Sequence, residues 1–266
     1  MRRKAIMHPK TVHWMTVALL LGLGVTGCAK KPPVSFVDLT DQQVFQRGLQ
    51  AMEKKRWSEA REAFRYLTRM FLQSPYREKA YLYIADTYFR EGVEALPMAV
   101  SAYQEFLRLY PNSVDMPYAM FQVGMSYFLQ AEKPQRTQEN TRKAVEAFQQ
   151  LLDRYPTGEW AEKARQYLRM AQQRLAEHEF IIGKYYYKKK NYEAALNRFQ
   201  TMFTQFPPEL CNPEAYLLTY RILQKMGRYE ESLQYLRQVV QLFPGTAWSR
   251  EAAALLDHAA KNADRP

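Results

Sequence analysis

From Thr40 onward, apolar residues recur at helical spacing, and no β-hairpin signal interrupts them. The stretch from Gly183 to Pro207 carries the fullest pattern: Ile182-Gly183-x-x-Tyr186, then Ala195, Phe199, Met202 and Pro207. Small residues at Gly183 and Ala195 let two helices cross closely, and Tyr186, Phe199 and Met202 fill the space around the crossing. The stretch therefore predicts a helix-turn-helix hairpin. One such hairpin cannot cover its own apolar face, so copies are expected.

The order and spacing of these small and large positions match the tetratricopeptide pattern, closing proline included. The second-helix signature recurs as Ala99/Tyr103/Phe106/Pro111, Ala144/Phe148/Leu151/Pro156 and Ser232/Leu236/Val239/Pro244. A further copy, Ala60/Phe64/Leu67, has Leu72 in place of the proline, and Ser74-Pro75 follows to start the next helix. First-helix partners are Gly48 before Ala51, Ile84-Ala85-x-x-Tyr88 and Val123-Gly124-x-x-Tyr127. The expected fold is all-α, an α-solenoid of about five tetratricopeptide-like hairpins. Anchors at 60, 99, 144, 195 and 232 are 39, 45, 51 and 37 residues apart, so extra length must sit in loops or longer helices. One such excess is the polar segment 131–140, which reads equally as part of a binding face or as a tolerated loop.

Residues 1–27 read as a signal peptide, with a basic start followed by an apolar run from about Val12 to Val25. That run is too short to span a bilayer comfortably. It ends Val25-Thr26-Gly27-Cys28, which resembles the bacterial lipobox, so Cys28 is the expected lipidation site. Ala29, where an aspartate would signal inner-membrane retention in similar lipoproteins, implies sorting to the outer membrane. Residues 28–38 read as the lipidated N-terminus and tether, 39–260 as the repeat domain and 261–266 as a tail.

Without the leader 266 − 27 = 239 residues remain, and 34 basic against 27 acidic side chains give +7. That balance favours an acidic protein surface or anionic lipid, and the exported compartment excludes nucleic acid. Cys211 has no partner once Cys28 is lipidated, and reads as a small apolar filler. Helix starts are legible at Thr40-Asp41-Gln42-Gln43, a capping box, and at Ser74-Pro75, Asp115-Met116-Pro117 and Asn212-Pro213. His178 and His258 lie far apart in sequence, and no metalloprotease helix, nucleophile elbow or phosphate loop is present. No catalytic residue, metal or cofactor is expected beyond the lipid on Cys28, and His178 reads as a helix-surface residue.

The lipobox, the short tether, five hairpins and the long second and third spacings together resemble the BamD family, lipoprotein subunits of the outer-membrane β-barrel assembly machinery. Segments carrying the resemblance are Arg65 to Tyr76, Phe106 to Ser113, Thr141 to Phe148, and Ala176-Glu177-His178-Glu179 leading to Tyr185-Tyr186 and Asn197-Arg198. Leu72 and Glu132-Lys133-Pro134-Gln135-Arg136 depart from the family pattern. The resemblance implies a non-enzymatic adaptor of the outer membrane, facing the periplasm of a Gram-negative cell. Its implied partners are a BamA-like barrel subunit with periplasmic domains, unfolded outer-membrane proteins and other assembly lipoproteins. A repeat lipoprotein scaffold of another envelope machine, such as a secretin pilotin or a cell-envelope coordination factor, shares the anchor and the repeats.

Groove-facing offsets along the first helices select Asp86, Phe89, Arg90, Tyr118, Phe121 and Met125 as substrate-groove candidates. In the fourth unit they select Lys184, Tyr187 and Lys188, which with Arg198 form the candidate partner interface. Arg198 rests on the family match at Asn197-Arg198. Tyr88, Tyr127 and Tyr186 are assigned to the core.

Overall fold

A Cβ placed on Gly183 would meet Phe199 at 2.4 Å, so the two helices cross where only glycine fits. The same contact recurs between Gly48 and Phe64 and between Gly124 and Phe148, each at 2.5 Å. In the second unit Ala85 replaces the glycine and Tyr103 the phenylalanine, both in one buried cluster. The anchors at Ala60, Ala99, Ala144, Ala195 and Ser232, with the two apolar residues that follow each, are fully buried.

The computed structural model describes residues 35–263, and from Phe36 onward the chain packs as one unit. The expected leader, Cys28 and most of the tether lie outside the described residues. The helices are α1 (Asp41–Glu53), α2 (Trp57–Met70), α3 (Arg77–Glu91), α4 (Leu96–Leu109), α5 (Met116–Leu129) and α6 (Glu139–Arg154). They continue with α7 (Glu159–Lys188), α8 (Tyr192–Gln205), α9 (Pro213–Lys225), α10 (Tyr229–Leu242) and α11 (Ala247–Ala263). Each packs on its neighbours in sequence, giving five hairpins followed by α11, and α5, α7, α9 and α11 also touch one another in turn.

The irregular spacings now have causes. A 3₁₀ turn, Val93–Ala95, lengthens the second unit, and the 131–138 connection lengthens the third. The longest spacing comes from α7, whose 30 residues span about 45 Å. Its first half packs Ala161, Ala164 and Ala171 against α5 and α6, and its second half packs Ala176 and Phe180 against α8 and α9. One helix thus closes the third unit and opens the fourth.

Thr40 and Gln43 form the predicted capping box, and Asn212 caps α9 with Pro213 in its first turn. Two other starts differ. Helix α3 begins at Arg77 without a side-chain cap, because the Ser74 hydroxyl donates to Asp41 at 2.6 Å and accepts from the Tyr76 amide. Asp115 precedes α5 but pairs with Lys79 instead of capping the helix. Folded structure begins earlier than residue 39, since Phe36 is 6 % exposed and its ring packs, tilted, 5.1 Å from that of Tyr66. At the other end α11 runs to Ala263, past the expected boundary at 260. Cys211 is the buried filler expected, and burial pushes its thiol up to about 11.

Candidate functional site

The substrate-groove candidates divide between the interior and the surface. Asp86 is 4 % exposed, and its Oδ1 accepts hydrogen bonds from Tyr103 at 2.6 Å and Tyr118 at 2.8 Å. Burial raises the Asp86 carboxyl above its ordinary value, while the two hydroxyls partly offset that shift. The triad joins α3, α4 and α5. It locks the second hairpin to the third and does not offer a carboxylate to a ligand.

Phe121 and Met125 are likewise buried. The cause is α7. Trp160 packs 5.0 Å from Tyr118 and 5.3 Å from Phe121, and Tyr167 packs 5.8 Å from Phe121 and 5.3 Å from Phe128. These rings occupy the space beside α5 that the repeat offsets treat as open groove. Asp86, Phe121 and Met125 are therefore corrected from groove contacts to core. Phe89 and Tyr118 remain half-buried and Arg90 is exposed.

The partner-interface candidates sit at the α7–α8–α9 junction. Lys188, the last residue of α7, is exposed. Tyr187 is half-buried against Tyr192, with ring centroids 6.0 Å apart. Lys184 pairs with Glu214 of α9 at 2.6 Å and stands over the Phe180 ring at 5.3 Å. Arg198 donates to Glu179 at 3.2 Å, so it neutralises a buried carboxylate within the hairpin while keeping part of its surface open. The last turn of α7 leads through Lys189 into Lys190, whose φ of 60° puts it in the left-handed region. The lysine run thus makes the hairpin turn as well as a solvated surface.

Two features were missed in the sequence. His178 is not a plain surface residue: its Nδ1 lies 2.6 Å from the Pro134 carbonyl, and Arg174 reaches the Ala131 carbonyl at 3.4 Å. Gln138 adds bonds to the Lys133 and Arg136 carbonyls, so the 131–138 connection is pinned to α7 and to itself. Tyr88 is half-buried rather than fully core. It carries Arg61 4.3 Å over its ring, and its hydroxyl receives a hydrogen bond from Arg65. Tyr127 and Tyr186 are also half-buried and pack on the core clusters.

Among the described residues no group of three His, Cys, Asp or Glu side chains is placed to hold a metal ion, and no helix is long and apolar enough to cross a membrane. Stacked helix hairpins define a tandem-repeat scaffold. The family model for YfiO, outer membrane lipoprotein, matches residues 37–234, and the chain belongs to that family. It is 27 % identical to the outer membrane protein assembly factor BamD of Caulobacter vibrioides, over 90 % of this chain and 79 % of that protein. The BamD proteins of Rickettsia prowazekii and Vibrio cholerae are 24 % and 23 % identical over 93 % and 87 % of this chain, covering 98 % and 99 % of their own lengths.

Proposed function

We propose that the chain is a lipid-anchored adaptor of outer-membrane protein assembly, attached through Cys28 and facing the periplasm. Its family membership over nearly the whole repeat array carries this reading. Relatives spanning most of the same length are named assembly factors. The adaptor binds a barrel subunit with periplasmic domains and unfolded outer-membrane proteins, and other assembly lipoproteins join it. It performs no chemistry on them.

The charge distribution supports a division of labour. Exposed Lys188 at the end of α7, and the parts of Lys184 and Arg198 left open by their pairs with Glu214 and Glu179, offer basic surface suited to an acidic face of the barrel subunit. Arg90 and the accessible part of Phe89 on the second hairpin, with the accessible part of Tyr118 on the third, offer their surface to an extended substrate segment. Depleting the protein from its own cell tests the role. The folded, heat-modifiable fraction of outer-membrane β-barrel proteins is expected to fall while exported periplasmic proteins stay at their normal level. Unchanged barrel folding would reject the adaptor reading.

A further inference from the structure

The turn between the first two hairpins departs from its counterparts. Where the later turns carry Pro111, Pro156, Pro207 and Pro244, this one carries Leu72, and its side chain is not used in packing. Leu72 is 60 % exposed, and Met70, two residues earlier, is 62 % exposed. Both border a shallow hollow that reaches Asp41 at the start of α1. The entry of the folded chain lies at the same end. Phe36 packs against Tyr66, Tyr66 packs 6.1 Å from Phe71, and Ser74 bonds Asp41. The exposed Val37 follows Phe36 directly.

We infer that this end of the first hairpin rests on the phospholipid surface, with Met70 and Leu72 entering the interface beside Val37. The inference rests on the lipid-anchor reading of Cys28. The buried Phe36 is eight residues beyond Cys28, 36 − 28 = 8, so the connecting chain reaches at most about 28 Å. That short lead keeps the Phe36 end near the bilayer and brings its apolar side chains against the headgroup boundary. Lys30 and Lys31 in the lead add attraction for anionic headgroups, which Asp38 and Asp41 partly oppose. Apolar insertion is therefore the main contact, and charge is secondary.

Val114 supplies an internal control. It is an apolar residue, 90 % exposed, on the corresponding turn of the next hairpin. Nitroxide labels are placed singly through Met70→Cys, Leu72→Cys and Val114→Cys in the full lipidated protein. The protein is reconstituted in vesicles of phosphatidylethanolamine and phosphatidylglycerol, with Cys211 buried and out of reach of the reagent. The ratio of oxygen to nickel-chelate collision rates is expected to be several-fold higher at 70 and 72 than at 114. In the unacylated form made without the leader and with Cys28→Ser, measured without vesicles, the three ratios should converge. Equal ratios on vesicles overturn the inference. The mass of the N-terminal peptide separates the two readings: acylated Cys28 with equal ratios removes only the membrane contact, and unacylated Cys28 removes the anchor and the contact together.

Discussion

Arg198 lies 3.2 Å from Glu179 across the α7–α8 hairpin, and Glu179 is only 9 % exposed at its side chain. An arginine proposed to meet a partner is thus also the counter-charge of a buried carboxylate. Arg198→Ala would leave that carboxylate unpaired and cost about 1–2 kcal/mol, less than a fully buried pair because the guanidinium is partly solvated. Adding Glu179→Gln should restore most of the stability in urea unfolding but not binding to the barrel subunit. Recovery of both by the double variant would reduce Arg198 to a structural residue.

The close helix crossing predicts a reversal of the usual glycine rule. At an open helical position Gly→Ala stabilises by up to about 1 kcal/mol. At Gly183 the added methyl would sit 2.4 Å from Phe199, and overpacking at a cost of about 1–3 kcal/mol should outweigh the propensity gain. The midpoint of chemical unfolding should fall for Gly183→Ala and recover in the Gly183→Ala/Phe199→Leu pair, where the ring is removed.

Asp86 predicts a pH signature. Burial is the main influence and raises its folded-state value above the ordinary 3.8, so the native state holds the proton more tightly than the unfolded chain. The stability this contributes is complete below the unfolded value and is lost as pH rises through the folded one. Asp86→Asn keeps an oxygen acceptor for Tyr103 and Tyr118 but does not titrate. The melting temperature of the parent relative to Asp86→Asn should therefore decline as pH rises from about 4 towards neutrality. Parallel curves would show that Asp86 does not carry the linkage.

The pinned connection between α5 and α6 predicts a local effect. His178→Ala removes the contact to the Pro134 carbonyl and should speed amide hydrogen exchange across 131–138. The helix cores should keep their protection, because no core side chain is altered. Slowed or unchanged exchange in that segment would mean that Gln138 and Arg174 hold it unaided.

The hairpins were legible because their signal is local. Gly183, Ala195 and Phe199 announce a close crossing whatever lies elsewhere in the chain, and the Gly48–Phe64 and Gly124–Phe148 contacts repeat it. The groove was less legible because burial there depends on a distant helix. Position offsets place Phe121 and Met125 on an inner face, but nothing in α5 itself reveals that Trp160 and Tyr167 of α7 will cover it. Asp86 misled for a related reason: an acidic residue at a groove offset suggests a contact, and the hydroxyls that bury it come from Tyr103 and Tyr118, 17 and 32 residues away. A tyrosine in the same hairpin, Tyr103, and one in the next, Tyr118, were the available hint. His178 was read from its own helix, while its partner Pro134 lies 44 residues earlier.

The proposed place of this scaffold is the outer-membrane barrel assembly machine. Its most direct test is a mild-detergent pull-down of the tagged, lipidated protein from its native membranes, read by mass spectrometry. A large outer-membrane barrel subunit with periplasmic domains should be recovered, and charge reversal at Lys188 should diminish its recovery. Recovery of a secretin or of peptidoglycan-linked proteins without that barrel subunit would contradict it.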